Sequence, residues 1–325
     1  MADRRAPRRG LVLGAGGVLG SAWMIGALSA YEDATGTDVR TMDMVVGTSA
    51  GAVLAALIGT GTGVGTMVNS EYGRPLFGDP VLDYTRLGSA LPPRPRMRIG
   101  SRRLLAVSAR HPRSVTPLVA LASLLPQGRG TLAALGELVS TAGSTTATWP
   151  SSAKPWIVAM DYDTGTRVVF GSPGAPRASL AEAVMASCAI PSWYAPVMID
   201  SRPYIDGGTR SPASVDVLAG LGLDEVLVFA PACSLVLDQP RGALARVERQ
   251  LRRLATRVVV REAELLRSAG TKVTLICPGP QDLAVIGANV MDLSRRREVF
   301  ETSLRTSAAA LALPDAAGGP LAAAG

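Results

Sequence analysis

A single serine stands in the stretch Met44-Val45-Val46-Gly47-Thr48-Ser49-Ala50-Gly51-Ala52-Val53. An apolar run ends there in the pattern G-x-S-x-G, and small apolar residues resume at helical spacing. Gly47 and Gly51 allow a strand to fold sharply into a helix and lift the Ser49 hydroxyl clear of the backbone, the geometry of a nucleophile elbow. The ordinary alternative is a tight strand-to-helix turn with a capping hydroxyl. A serine nucleophile needs a base, and the chain contains one histidine, His111, in the basic, proline-flanked stretch Ala109-Arg110-His111-Pro112-Arg113. That setting reads as an exposed loop rather than a catalytic triad, which leaves a carboxylate or a lysine as the base. The best carboxylate is Asp206, which ends the strand-like Arg202-Pro203-Tyr204-Ile205 and is followed by Gly207 and Gly208. A carboxylate at the carboxyl end of a strand faces the crevice where an α/β sheet holds ligands, and a dry pocket would raise its basicity. A plain Asp-Gly turn is the competing reading.

A third group precedes both. In Leu11-Val12-Leu13-Gly14-Ala15-Gly16-Gly17-Val18-Leu19-Gly20, Gly14, Gly16, Gly17 and Gly20 follow a strand and open a helix. Their backbone N–H groups can converge on an anion, with the helix dipole behind them. As a dinucleotide-binding fingerprint the run fails, because the frame counted from Gly14 puts Leu19 at the third glycine and the next strand ends in the elbow rather than in an acidic residue. As a set of donors for the oxyanion of an acyl transfer it fits.

The elements that must carry these residues alternate. Leu11–Leu13, Asp43–Val46, Trp156–Met160, Arg167–Phe170, Val226–Ala230 and Val273–Cys277 read as strands, and residues 195–208 as a hairpin. Helices are expected over Ser21–Tyr31, Leu180–Cys188, 241–269 (long, amphipathic and rich in arginine) and 292–311. This order predicts an α/β fold whose early strands are parallel. Residues 61–150 break it: Pro92, Pro93, Pro95, Pro112, Pro117 and Pro126 punctuate short apolar helical stretches such as Leu118–Leu125, so the segment reads as a helical cap inserted into the sheet domain. The C-terminal residues 313–325 are low in complexity.

Composition narrows the partners. Hydrophobic residues are 47% of the 325, charged residues 18% and aromatics 4%, which is globular rather than disordered. The net charge of +7 is carried almost wholly by arginine, with Lys154 and Lys272 the only lysines. This reads as composition bias or as an anionic partner. Within the cap, Arg94, Arg96, Arg98, Arg102, Arg103, Arg110 and Arg113 lie beside an apolar run, a combination that suits an anionic membrane surface. The absence of any aromatic between Arg94 and Arg113 argues against nucleic acid. Cys188, Cys233 and Cys277, odd in number and without a C-x-x-C pair, read as reduced thiols of a cytoplasmic protein, and neither a secretory leader nor a membrane span is expected. No calcium loop is visible, so neither metal nor cofactor is expected.

The glycine turn, the G-x-S-x-G about thirty residues later, the D-G-G of the second half and the lack of a usable histidine together resemble the patatin-like phospholipase family. The segments Ala183-Val184-Met185-Ala186-Ser187-Cys188-Ala189-Ile190-Pro191 and Tyr204-Ile205-Asp206-Gly207-Gly208-Thr209-Arg210-Ser211-Pro212-Ala213 extend the likeness. It implies a three-layer α/β/α fold with a mostly parallel central sheet, a Ser49–Asp206 dyad, and an oxyanion hole from the amides of Gly16, Gly17 and Val18. The implied reaction is hydrolysis of lipid acyl esters through an acyl-enzyme. A single domain is expected over 1–312. Where the family usually has glycine and a basic residue, this chain has Ala15 and Leu19, which weakens any grip on a substrate phosphate. The alternative is a non-catalytic lipid-binding protein that keeps the fold.

Overall fold

The computed structural model describes residues 6–76, 78–79, 93–94, 96, 100–111, 115–142, 149–150, 154–236, 238, 240 and 242–312. Arg98, Arg113, Pro92, Pro95, Pro112 and residues 313–325, all named above, lie outside this set. The strands are β1 (Arg9–Leu13), β2 (Met44–Thr48), β3 (Lys154–Asp161), β4 (Arg167–Phe170), β5 (Val197–Ile199), β6 (Arg202–Asp206), β7 (Glu225–Phe229) and β8 (Lys272–Ile276). The helices are α1 (Gly17–Thr35), α2 (Ala50–Gly59), α3 (Val64–Glu71), α4 (Arg102–Arg110), α5 (Pro117–Leu124), α6 (Ala133–Ala142), α7 (Leu180–Ser187), α8 (Ala243–Ser268), α9 (Pro280–Ile286) and α10 (Arg296–Leu311).

One sheet holds the strands in the order β5-β6-β3-β2-β1-β7-β8, with β4 also paired to β3. From β3 through β8 along that path every pairing is parallel, while β4, β5 and β6 pair antiparallel. Successive residues of each central strand enter opposite cores. Leu11 and Leu13, Val45, Ile157 and Ala159 pack with α1, α2, α7 and α10, whereas Val12, Val46, Trp156 and Val158 pack with α8 through Val259, Ala263 and Leu266. That period-2 division is why these strands are apolar throughout: both faces are covered. The result is the expected three-layer α/β/α arrangement.

The described part of the 61–150 segment carries the helices α3, α4, α5 and α6 and no strand. The helices α4 and α5 seat Leu104, Val119 and Ala122 against Met160, Tyr162 and Ile205, so they cover the carboxyl ends of β3 and β6. Two differences from the sequence reading matter. The first helix begins at Gly17, four residues before the expected Ser21, and α9 was not anticipated.

Candidate active site

Ser49 lies between the end of β2 and the start of α2 with φ 55° and ψ −120°. A non-glycine residue held at positive φ costs roughly 1–3 kcal/mol and persists only where its surroundings fix it. Those surroundings are on both sides. A Cβ on Gly51 would overlap the Leu13 carbonyl, and one on Gly47 would overlap the Gly51 carbonyl, so α2 can approach β1 and β2 this closely only with glycine at both motif positions. The Ser49 N–H donates to Ser187 Oγ at 2.8 Å, and that hydroxyl donates onward to the Val158 carbonyl at 2.6 Å. The Ser49 carbonyl accepts from the Ala52 N–H at 2.8 Å and from Cys188 Sγ at 3.2 Å. The last residues of α7 therefore hold both backbone groups of the elbow serine.

Asp206 reaches this point because of how β3 is shared. Ile157 pairs with both Gly47 and Phe170, and Ala159 with both Val168 and Asp206. A strand residue has one partner on each edge, so β4 occupies one edge of β3, and β2 and β6 share the other. They run in opposite directions along it, and their carboxyl ends meet: Thr48 pairs with Val158 and Asp206 with the adjacent Ala159. The Asp206 carboxylate accepts from the Gly208 N–H at 2.7 Å, and the Ser49 side chain is near enough to favour its ionised form. The Asp206 N–H donates to Ala189 O at 3.0 Å. Both residues are buried, with 4% of Ser49 and 5% of Asp206 exposed. Burial pushes the Asp206 carboxyl from its ordinary 3.8 up to about 6, against the lowering effect of the Ser49 side chain and the Gly208 N–H.

The glycine-rich turn closes the third side. A Cβ on Gly208 would lie 3.0 Å from that of Ala15, so the two loops touch. Not all the amides of the turn are available. Gly14 N–H donates to Phe229 O at 2.8 Å, Ala15 N–H to Pro212 O at 2.7 Å, Leu19 N–H to Val290 O at 2.9 Å and Gly20 N–H to Gly16 O at 2.9 Å. The expectation that the Gly14 and Gly20 amides join in is thus corrected: they build the loop. The N–H groups of Gly16, Gly17 and Val18 have no acceptor among the described residues, as befits the first turn of a helix. Gly17 has φ +62°, and a Cβ there would come 2.8 Å from Val290 Cγ2. Leu19, which replaces the family's basic residue, is wholly buried in the core.

His111 is exposed at the C-terminal end of α4, whereas Ser49 and Asp206 are buried. Burial and the Asp206 charge push the Cys188 thiol well above its ordinary value, so it stays an S–H donor to Ser49. Among the described residues no group of three or more His, Cys, Asp or Glu side chains is placed to hold a metal ion, and no helix is long and apolar enough to cross a membrane. Ser187, Cys188, Pro212 and Val290 are additions the sequence did not announce. Their signal, a serine and a cysteine at the end of a short helix, is local and ambiguous, while their partners are distant.

A family profile, patatin-like phospholipase, matches residues 11–219. No curated protein gives a significant match. Among solved structures the chain is similar to VipD from Legionella pneumophila, with 14% identity and a TM-score of 0.43, covering 92% of this chain and 67% of that one. It is also similar to the type III effector ExoU, with 18% identity and a TM-score of 0.39, covering 94% of this chain and 53% of that one. For ExoU in the ExoU–SpcU complex from Pseudomonas aeruginosa the values are 21% and 0.33, with 93% and 52% covered. The chain therefore spans about half the length of ExoU.

Proposed function

Because this chain belongs to the patatin-like phospholipase family, we propose that it hydrolyses lipid acyl esters with a Ser49–Asp206 dyad. The observation that carries the reading is the meeting of the two buried residues where the carboxyl ends of β2 and β6 come together on β3. Asp206 accepts the Ser49 proton as Oγ attacks the ester carbonyl. The amides of Gly16, Gly17 and Val18, backed by the α1 dipole, donate to the oxyanion that forms; a single such donor contributes about 3–4 kcal/mol to the rate in related chemistry. Collapse of the tetrahedral species breaks the ester C–O bond, and the departing alkoxide takes the proton back from Asp206. Water, deprotonated by the same carboxylate, then releases the acid from the acyl-serine.

The substrate class is a lipid ester rather than a phosphate-anchored one, since Leu19 puts no charge beside the glycine loop. Lipid access is assigned to the 61–150 cap. Its α5 exposes Leu118, Leu121 and Leu124, next to Arg102, Arg103 and Arg110 of α4, of which Arg103 pairs with Asp163 at 2.8 Å. A basic and apolar rim of this kind fits an anionic bilayer. The test is the intact mass of the protein after a fluorophosphonate, beside Ser49→Ala. One adduct, absent from the variant, supports an activated serine. No adduct on the folded protein, with detergent present to open the cap, would replace the reading by a lipid-binding relative without chemistry.

A further inference from the structure

Helix α8 carries two faces of different character, and the proposed chemistry uses neither. The inward face buries Arg249, Arg252, Val259, Glu262, Ala263 and Leu266. Arg249 pairs with Asp238 at 2.6 Å and Arg252 with Glu248 at 2.8 Å, and Arg252 also donates to the carbonyls of Pro231 and Cys233. Pro231 in turn packs on the glycine loop, since a Cβ on Gly16 would come within 2.7 Å of its Cγ. The inward arginines are thus structural, and they tie the helix to the loop that holds the proposed oxyanion donors.

The outward face is apolar and basic. Leu244, Val247, Leu251, Leu254 and Leu265 are each more than half exposed. From Leu244 to the half-buried Val258 they recur at intervals of three and four, and Arg261 takes the next place in the row before Leu265, so the row runs about 30 Å at 1.5 Å per residue. Folded monomers seldom leave a continuous apolar seam in water. Exposed Arg257 and Arg261 lie beside it, while the exposed acid, Glu264, pairs with Arg267 at 2.8 Å.

We propose that the outward face of α8 is a docking surface for an anionic lipid bilayer, lying flat with its leucines in the acyl boundary and its arginines among the headgroups. The charge selects this occupant over a second copy of the chain. In a self-paired seam Arg261 would occupy a position of the apolar row and Arg257 would flank it, which places like charges together without acidic partners. The inference extends the lipid-hydrolase reading by giving the protein a second contact with the substrate's surface besides the cap, joined rigidly to the glycine loop.

The experiment is co-sedimentation with extruded vesicles, of phosphatidylcholine alone or of equal parts phosphatidylglycerol and phosphatidylcholine. It uses the full chain and the variants Leu251→Asp with Leu254→Asp, and Arg257→Glu with Arg261→Glu. The wild type is expected to bind the anionic vesicles at least tenfold more tightly than the neutral ones, and each double variant to lose at least tenfold. Thermal unfolding and turnover of a soluble short-chain ester should stay unchanged, because the substituted side chains face water. Wild-type affinity in both double variants would overturn the proposal, and so would a wild-type dimer that the leucine variant converts to monomer without any vesicle binding. Repeating the binding in Ser49→Ala keeps docking separate from catalysis: vesicle binding without hydrolysis in any form would sink the dyad and leave the docking surface standing.

Discussion

Replacing Asp206 by Asn should kill the enzyme and stabilise the fold, and both effects follow from one quantity. The carboxyl is raised by burial from 3.8 to about 6, a difference equivalent to about 3 kcal/mol between its two protonation states. Folding favours the neutral form, so this contribution to stability is fully present below pH 4, is lost as the pH rises through 6, and is absent at pH 7. There the ionised carboxylate burdens the folded state by that amount relative to a neutral group of the same shape. Asn cannot ionise and keeps an oxygen for the Gly208 N–H. With an unfolding entropy of about 2.1 cal/mol/K per residue, the relief corresponds to a Tm higher by about 4–5 °C at pH 7, shrinking to nothing near pH 4. Over the same range the wild-type kcat/KM should rise with pH, with an apparent pKa of about 6, because the ionised form is the base; about a tenth of the molecules are competent at pH 5 and nine-tenths at pH 7. The assays are calorimetric melting of both proteins at pH 4.5 and 7, and hydrolysis of a soluble ester from pH 4.5 to 8. A lower Tm for Asn at pH 7, or a wild-type rate flat between pH 5 and 7, would refute the assignment.

Ser187→Ala leaves the Ser49 N–H and the Val158 carbonyl without their shared partner, each costing about 1–3 kcal/mol when buried. It should lower kcat by about tenfold or more with KM little changed, with partial rescue by Thr; an unaltered kcat would show that the elbow holds its geometry without it. Gly17→Ala forces a side chain onto Val290 at φ +62° and displaces the free amides, so kcat should fall about a hundredfold, on the scale of one lost oxyanion donor, as read with a soluble ester. His111→Ala should leave the same rate within about twofold, and a loss of about a thousandfold would point to a histidine-dependent triad.

The parts of this molecule that were legible in sequence are those whose cause is local. Leu11-Val12-Leu13 and Met44-Val45-Val46 announce strands because both sheet faces need apolar cover, and Gly47 and Gly51 announce the elbow because no other residue fits against the neighbouring carbonyls. The start of α1 was misread, since glycines at 17 and 20 disfavour a helix on propensity, and packing against Val290 and Pro231 overrides it. Seven residues were too few for α9 to show a period. Ser49 and Asp206 could be singled out and paired by type and setting, and the family resemblance implied the same dyad. Their meeting depends on β6 taking the half of β3's edge that β2 leaves open, a fact of topology with no trace in either motif. The role of Ser187 is invisible for the same reason: both its partners are far along the chain.

That topology also bears on how the proposed dyad would do with two residues what is usually divided among three. An imidazole serves as a base because its ordinary pKa lies near neutrality. Asp206 reaches about 6 by being dried rather than by being a different group, so its basicity belongs to the packing around it: Val158 and Ala159 beneath, Cys188 and Ala189 of the α7 end beside it, and the Gly207–Thr209 turn that α5 contacts. Water admitted to this corner would draw the carboxyl back toward 3.8 and weaken it as the proposed base. On the proposed mechanism, bulk solvent reaching Asp206 would therefore switch the chemistry off. On the same reading, lipid in place of solvent would leave it on, so a bilayer would supply the proposed site with substrate and dryness together.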